Sequence, residues 1–311
     1  MAAKTPPHGR LRHYAAVASL SLAILLATLK AGAAIATGSL AVLSSLIDSL
    51  ADVAASAITF FSIRISQQPP DQLHRFGHGK AESLSALAQS TLVAGSALFV
   101  LVDAIRRLTD PAPLRAAGLG IVVMAFASIA TLCLVLFQRY VIRRTGSQAI
   151  AADSLHYSAD LATNLTIIVS LVMVQWFYWP WLDPLLGLGI AAYLAWYAGK
   201  IGMAAIHVLM DHELPGTSRQ RIKDLITAHP EVQGLHDLRT RESGTTVFIE
   251  CHIELDPEMT VLAAHDVTDR LEEKLSQAFP DSEIIIHQEP AGISDQRLDH
   301  RIAASSPAPV A

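Results

Sequence analysis

Two pairs of ionisable residues with the same spacing lie in apolar parts of the sequence. Asp48 and Asp52 are four residues apart, and so are His156 and Asp160. This spacing puts both side chains of a pair on one face of a helix. An ionisable group inside a membrane span costs about 2.5–3.5 kcal/mol on insertion scales, so it usually has a function. Two facing pairs would offer three carboxylates and one imidazole, a mixed set that suits tetrahedral Zn²⁺.

The same residues have a purely structural alternative, in which they lie at helix ends or hold helices together through hydrogen bonds. A single Asp leaves the two interpretations equally open. The match between two pairs, one of them containing His, favours the metal site. Asp153 and Asn164 extend the stripe of the second pair. They form either an ion path or polar packing, and both interpretations stay open.

A second group of potential ligands lies in a loop rich in Pro and Gly. Asp71, His74 and His78 fall within eight residues of each other. We predict a second metal site here. The alternative is a solvated loop whose histidines touch lipid headgroups.

Four further histidines, His236, His252, His265 and His287, follow the last apolar span. The strand predicted at 245–255 has apolar residues at alternate positions from Val247 to Leu255, so His252 points to the other face. His287 and Glu289 are two apart and share a strand face. His229, beside Pro230, is interpreted as a capping or surface residue.

The composition indicates what must position these groups. The chain is 51% hydrophobic and 16% charged, whereas soluble domains carry about a quarter charged residues. Six apolar stretches are long enough to cross a membrane: 15–37, 40–63, 84–105, 117–139, 150–174 and 183–205. Residues 1–210 contain 14 Lys and Arg against 9 Asp and Glu, and residues 211–290 contain 7 against 17. We therefore predict a tail at 1–14, a six-helix membrane bundle at 15–210, an acidic aqueous domain at 211–290 and a disordered tail at 291–311.

The aqueous domain has the pattern of a small α/β open sandwich, similar to metallochaperones. A helix is predicted at 217–228, strands at 235–241 and 245–255, a helix at 260–279 and a strand at 282–287, in the order αββαβ. Glu242-Ser243-Gly244 marks the hairpin between the first two strands. The two cysteines, Cys133 and Cys251, have no pair spacing, which argues against a cysteine zinc site or a disulfide framework.

The basic residues predict the orientation in the membrane. Nine Lys and Arg flank the spans on the side of the N-terminus and three on the opposite side, so both termini are predicted to be cytoplasmic. The aromatic run at 176–181 is typical of an interfacial belt on the outer side. No cleavable signal peptide is recognised.

The predicted ligands also suggest a mechanism. Carboxylates and imidazoles must lose their protons to bind a metal, so metal and protons would exchange. No phosphate-binding GxxxxGK[ST] motif is present, so nucleotide drive has no support. The alternatives are a passive metal channel, a metal sensor or scaffold, and a membrane enzyme such as a metalloprotease, which the absence of His-Glu-x-x-His disfavours. Asp and His suit Zn²⁺ and Cd²⁺ and tolerate Fe²⁺, Mn²⁺ or Co²⁺.

Taken together, the two spaced pairs, the segment 71–83 and Leu235–Arg241 resemble the cation diffusion facilitator family over residues 12–290. The resemblance implies a homodimeric metal exporter of the bacterial inner membrane, without nucleotide or nucleic acid. It implies a transport site of Asp48, Asp52, His156 and Asp160, a loop site of Asp71, His74 and His78, and a charge interlock between protomers formed by Lys80 and Asp211. It also implies a two-metal cytoplasmic site that binds Zn²⁺ through His236, His252, His265, His287 and Glu289.

Two positions depart from members of that family. A close member has Asp at the position of Glu289, which puts the geometry of the cytoplasmic site in doubt. The loop at 140–147 has no histidine, so the His-rich metal-collecting loop of eukaryotic zinc transporters is absent.

Overall fold

The computed structural model describes residues 7–37, 40–109, 118–177, 182–293 and 297–305. The chain divides into two compact units between Leu209 and Met210.

Among the residues that the structure describes, the first unit contains six long helices, which confirms the predicted bundle. Their bounds are α1 Pro7–Thr37, α2 Leu40–Ser66, α3 Ala81–Thr109, α4 Gly118–Thr145, α5 Gln148–Phe177 and α6 Leu182–Leu209. Most of these helices extend past the apolar stretch from which they were predicted. The largest extension is at α1, which begins at Pro7 inside the predicted tail. Proline is favoured in the first helical turn because the backbone N–H groups there have no intrahelical partner.

Membrane-crossing length and apolarity are found, among the described residues, in five of the six helices. The stretches are Gly9–Gly32, Asp48–Ser66, Ala81–Leu108, Phe126–Thr145 and Pro184–Leu209. The side chains of α5 are described only up to residue 166. The predicted aromatic belt at 176–181 lies outside the described side chains. The first unit is thus a multi-pass membrane domain.

Small residues bring the helices together around α5. Ala15 and Ala16 of α1 pack with Ile63 of α2 and with Ala149 and Ile150 of α5. A second cluster joins α3 and α6 to the opposite side of the same helix, through Val93, Ala97, Leu155, Leu194 and Ala198. Small side chains let membrane helices approach closely. Helix α5, which carries His156, is therefore shared by both clusters.

The second unit confirms the predicted αββαβ order. It consists of α7 Gly216–Thr227, β1 Gly234–Ser243, β2 Thr246–Leu255, α8 Val261–Ala278 and β3 Ser282–Pro290. Strand β2 lies between the other two, antiparallel to β1 and parallel to β3. One face of β2 packs on α8, with a core of Ile249, Cys251, Ile253, Leu255, Val267, Leu271 and Leu275.

The prediction of disorder after residue 290 is wrong for one segment. Helix α9 spans Leu298–Ser305 and is held by Asp237, which interrupts the β1 pairing with φ 51°. The Asp237 carboxylate accepts the backbone N–H groups of Leu298 and Asp299, both at 2.8 Å. Helix N-termini have unsatisfied N–H groups, and a carboxylate is a strong partner for them. Residues 306–311 lie outside the described residues.

These hydrogen bonds also affect ionisation. Burial by itself would raise the pKa of Asp237, but the two backbone N–H donors outweigh it and hold the pKa below its usual value. Sequence reasoning missed this cap because its two halves are about sixty residues apart.

Candidate metal centres

The intramembrane group consists of Asp52 on α2 and His156 and Asp160 on α5. One ligand atom from each residue lies within 4.8 Å of the others. His156 Nε2 is 2.9 Å from Asp52 Oδ1 and 4.0 Å from Asp160 Oδ2. Zn²⁺ holds N and O ligands at about 2.0–2.2 Å, which puts ligand atoms roughly 3–4 Å apart. Small side-chain movements would therefore close these three atoms around one ion and leave a fourth position open.

Asp48, the fourth residue of the predicted transport site, is exposed and is not part of this close group. It lies one helical turn from Asp52, about 6 Å along the axis of α2. It remains within electrostatic range of Asp160. Its role as a fourth ligand stays a prediction.

Asp153 is fully buried beside the group. Its carboxylate accepts hydrogen bonds from Ser19 and Gln138, both at 2.6 Å. Longer contacts come from Gln89 at 3.4 Å and Thr59 at 3.5 Å. These donors come from α1, α4, α3 and α2, so Asp153 ties four helices to α5. Such complete use of the carboxylate favours polar packing over an ion path. Asn164 is half-buried one turn beyond Asp160.

The loop group is formed by Asp71, His74 and His78, whose ligand atoms also converge. Asp71 Oδ2 is 3.4 Å from His78 Nε2, and Asp71 Oδ1 is 3.2 Å from His74 Nδ1. The backbone N–H of His74 donates to Asp71 at 2.6 Å and lowers the pKa of this carboxyl group. The buried Nδ1 of His78 has no hydrogen-bond partner. This chemistry fits a cation between the two rings and the carboxylate.

The sheet group takes one residue from each strand: His236 on β1, His252 on β2 and Glu289 on β3. Glu289 accepts from His252 Nδ1 at 2.6 Å and lies 3.1 Å from His236 Nε2. Strand register brings the residues together. His236 on β1 is paired with His252 on β2, and Glu289 on β3 is level with Glu254, which lies two residues beyond His252 on β2. Both ring nitrogens of His236 are buried without a hydrogen bond. Two orphaned imidazole nitrogens beside carboxylates fit a metal ligand, and the longer Glu289 reaches both histidines.

The two other predicted ligands of this site lie outside the close group. His287 is exposed, with its Nε2 3.5 Å from Glu289 Oε1 and its ring 4.7 Å from that of His252. His265 is exposed on α8, and its Nδ1 lies 3.5 Å from Asp269. His229 was interpreted as a capping or surface residue, but it is buried, 6% exposed.

The predicted interlock pair has partners within its own chain. Lys80 Nζ donates to the carbonyl of Leu209 at 3.4 Å. Asp211 Oδ2 lies 3.7 Å from Arg241. Their contact between protomers stays a prediction.

Sequence reasoning missed two basic residues within α1. Arg12 forms a buried ion pair with Glu82 at 2.6 Å. Lys30 donates to Ser49 on α2 at 2.6 Å. The signal was available for Lys30, because a basic residue within an apolar span is as costly as an acidic one.

Comparisons with known proteins agree with this architecture. Residues 16–210 match the family profile described as cation efflux transmembrane domain. Residues 214–291 match the profile described as cation efflux protein, cytoplasmic domain. The cation-efflux pump FieF of Klebsiella pneumoniae is 45% identical over 286 residues, which cover 92% of this chain and 95% of the relative. The protein of the same name from Escherichia fergusonii is 44% identical, with the same coverage.

Two similar solved structures are separate domains of metal transporters or their relatives, and each matches about a quarter of this chain. The metal-bound C-terminal domain of the CzcD transporter from Thermotoga maritima is 31% identical and is wholly covered, over 26% of this chain, with a TM-score of 0.25. A cytosolic domain of a cation diffusion facilitator family protein is 33% identical over 25% of this chain and 93% of its own length, with a TM-score of 0.24. The family profiles and the close relatives, which span nearly the whole chain, show that this chain belongs to the cation efflux, or cation diffusion facilitator, family and is a transporter of metal cations rather than an enzyme.

Proposed function

We propose that this transporter exports divalent metal, Zn²⁺ above all, from the bacterial cytoplasm in exchange for protons. The observation that carries the proposal is the convergence of Asp52, His156 and Asp160 inside the membrane domain. These ligand types bind Zn²⁺ and Cd²⁺ well and accept Fe²⁺. Asp48 would complete the shell from the next turn of α2.

Proton exchange follows from the ligand chemistry. Each ligand binds either a proton or the metal, so entry of the metal displaces protons and a later proton load displaces the metal. Alternating access supplies direction, because the site opens to the cytoplasm for loading and to the outside for release. No nucleotide is needed in this cycle.

The assembly is a homodimer in the inner membrane with both termini in the cytoplasm. The Lys and Arg bias of the sequence supports this orientation. The match to a cytoplasmic-domain profile supports it for the second unit. In that setting the sheet group, with His265 and His287, binds regulatory metal near the dimer contact, and Lys80 and Asp211 interlock the protomers at the membrane surface. The loop group binds a further ion.

The test is metal flux in proteoliposomes with an imposed pH gradient. We expect the gradient to drive Zn²⁺ uptake and metal to stimulate proton flux. Asp52→Asn and His156→Ala should abolish both fluxes. Asp103→Asn is a matched control, because Asp103 is a helix carboxylate paired with Arg107 at 2.7 Å and outside the intramembrane group.

Each competing function has a distinct outcome in this assay. Metal flux that does not depend on the pH gradient would indicate a passive channel. Metal binding without flux in the wild-type protein would indicate a sensor or scaffold. Equal flux in Asp52→Asn and in the Asp103→Asn control would refute the proposed site.

A further inference from the structure

Lys30 is a half-buried cation near the end of the first apolar stretch of the membrane domain. It lies in the stretch Gly9–Gly32, which is apolar enough to cross a membrane. An ammonium group at such a position is costly, and it is retained only where nearby groups compensate its charge. Lysine can lower the cost by extending its ammonium to the membrane surface. Lys30 instead turns to the neighbouring helix.

The partner of this ammonium lies between the acids of the transport site. Lys30 Nζ donates to Ser49 Oγ at 2.6 Å, and Ser49 is buried, 1% exposed. Ser49 follows Asp48 directly and precedes Asp52 by one helical turn. Lys30 is also within electrostatic range of Asp160 on α5. The ammonium is therefore held beside the helix that carries Asp48 and Asp52, and its charge acts on at least one acid, Asp160, that the metal would bind.

The formal charges of the site indicate what Lys30 does there. The three acids predicted as ligands, Asp48, Asp52 and Asp160, carry three negative charges when ionised, apart from Asp153, whose carboxylate is engaged by its own donors. A divalent ion and one ammonium supply three positive charges, so the metal-loaded site is neutral when His156 is neutral. Net charge is strongly disfavoured in a medium of low dielectric constant. Without Lys30 the same three acids would hold a divalent ion with one negative charge in excess.

We propose that Lys30 is a fixed counter-charge of the transport site, which weakens the grip of the carboxylates on a divalent ion so that the ion can leave. The proposal rests on the proposed function, since it needs the intramembrane group to be the transport site. The ammonium does not touch the ion and acts through the field at the site. At an effective dielectric constant of about 20, a unit charge within about 10 Å of a divalent ion changes its affinity by more than tenfold.

The experiment compares Lys30→Met and Lys30→Arg in the full-length protein. Lys200→Met is the matched control, because Lys200 lies on α6 against the Trp196 ring, 5.9 Å from its centroid. Zn²⁺ dissociation constants are measured at about pH 8, where protons compete least with the metal for carboxylates. The background carries His74→Ala and His236→Ala, which remove ligands of the other two groups. Transport is measured on the same proteins without the background changes.

We expect Lys30→Met to bind Zn²⁺ at least about tenfold more tightly and to transport it with lower KM and lower kcat. Lys30→Arg keeps the charge and should remain within about threefold of wild type. Ser49→Ala loosens the ammonium without removing it, so it should shift the affinity in the same direction by a smaller factor. If Lys30→Met fails to fold, the Zn²⁺ affinity of Ser49→Ala tests the proposal in its place.

Two results would overturn the inference. One is an affinity of Lys30→Met equal to that of Lys200→Met, with Ser49→Ala also unchanged. The other is an equal change in Lys30→Arg and Lys30→Met, which would indicate packing instead of charge. Failure of the proposed function is distinguishable, because Asp52→Asn would then retain Zn²⁺ binding in the same background whatever Lys30 does.

Discussion

The buried ion pair between Arg12 and Glu82 should make a large and asymmetric contribution to stability. Both side chains are almost inaccessible, 6% and 5% exposed. The carboxylate joins four parts of the membrane domain, since it also accepts from Ser66 at 3.1 Å and from Ser147. Glu82→Gln leaves the Arg12 guanidinium buried without an anion. Breaking one side of a buried pair costs about 3–5 kcal/mol.

The reverse change should cost less. Arg12→Met leaves a carboxylate that keeps two hydroxyl donors and can take up a proton, whereas a guanidinium cannot lose one. We expect about 1–3 kcal/mol for this variant, the cost of an incompletely paired buried group. The double variant should lose less than the sum of the two single changes, by about 2 kcal/mol or more.

The free energy of unfolding is measured by SDS titration of the purified protein in mixed micelles. The control is Asp103→Asn, which breaks an ion pair of 2.7 Å whose side chains are 36% and 46% exposed. Solvent screens such a pair, so its loss should cost at most about 1 kcal/mol. A cost for Glu82→Gln no larger than the control, or strictly additive losses in the double variant, would contradict the reasoning.

Three further predictions concern the second unit and are tested by amide hydrogen exchange in the full-length protein. Asp237→Ala removes the cap of α9 and should expose residues 298–305 to exchange, whereas Asp237→Asn, which still accepts hydrogen bonds and tolerates φ 51°, should retain most of the protection. Burial lowers the pKa of His229 in the folded protein, and the positive charges of Lys274 and Arg270 lower it further. The neutral imidazole therefore contributes stability above the unfolded pKa of about 6.5, and this contribution is lost as the pH falls through the lower pKa of the folded state. His229→Gln should therefore reduce the acid sensitivity of this unit, and an unchanged pH profile would contradict the assignment. Leu271→Ala, at a core position 1% exposed, should destabilise the unit by about 2–5 kcal/mol, against no change for Leu262→Ala at an exposed position of the same helix.

Patterns within one element were predictable from the sequence. The four-residue spacing placed His156 and Asp160 on one face of α5, and alternation placed His252 opposite the core of β2. Predictions that needed two elements were less complete. Asp48 shares a helix face with Asp52, yet the contact with α5 is made at the turn of Asp52. His265 was joined to the sheet histidines only by resemblance, and in the chain it pairs with Asp269 on its own helix.

The features that sequence reasoning missed are pairs of opposite or complementary groups far apart in the chain. Arg12 and Glu82 are separated by 70 residues, and Asp237 and Asp299 by 62. No periodicity links such residues, because each lies on its own element with its own repeat. The chemistry of one partner is nevertheless visible: a lysine within an apolar stretch must find an anion, a buried acceptor or water. Lys30 finds Ser49 between two acids, and this is why the charge of the transport site has to be counted over α1, α2 and α5 together. A ligand count restricted to the two spaced pairs leaves the metal-loaded site with one uncompensated negative charge, which would attract a divalent ion more strongly and slow its release.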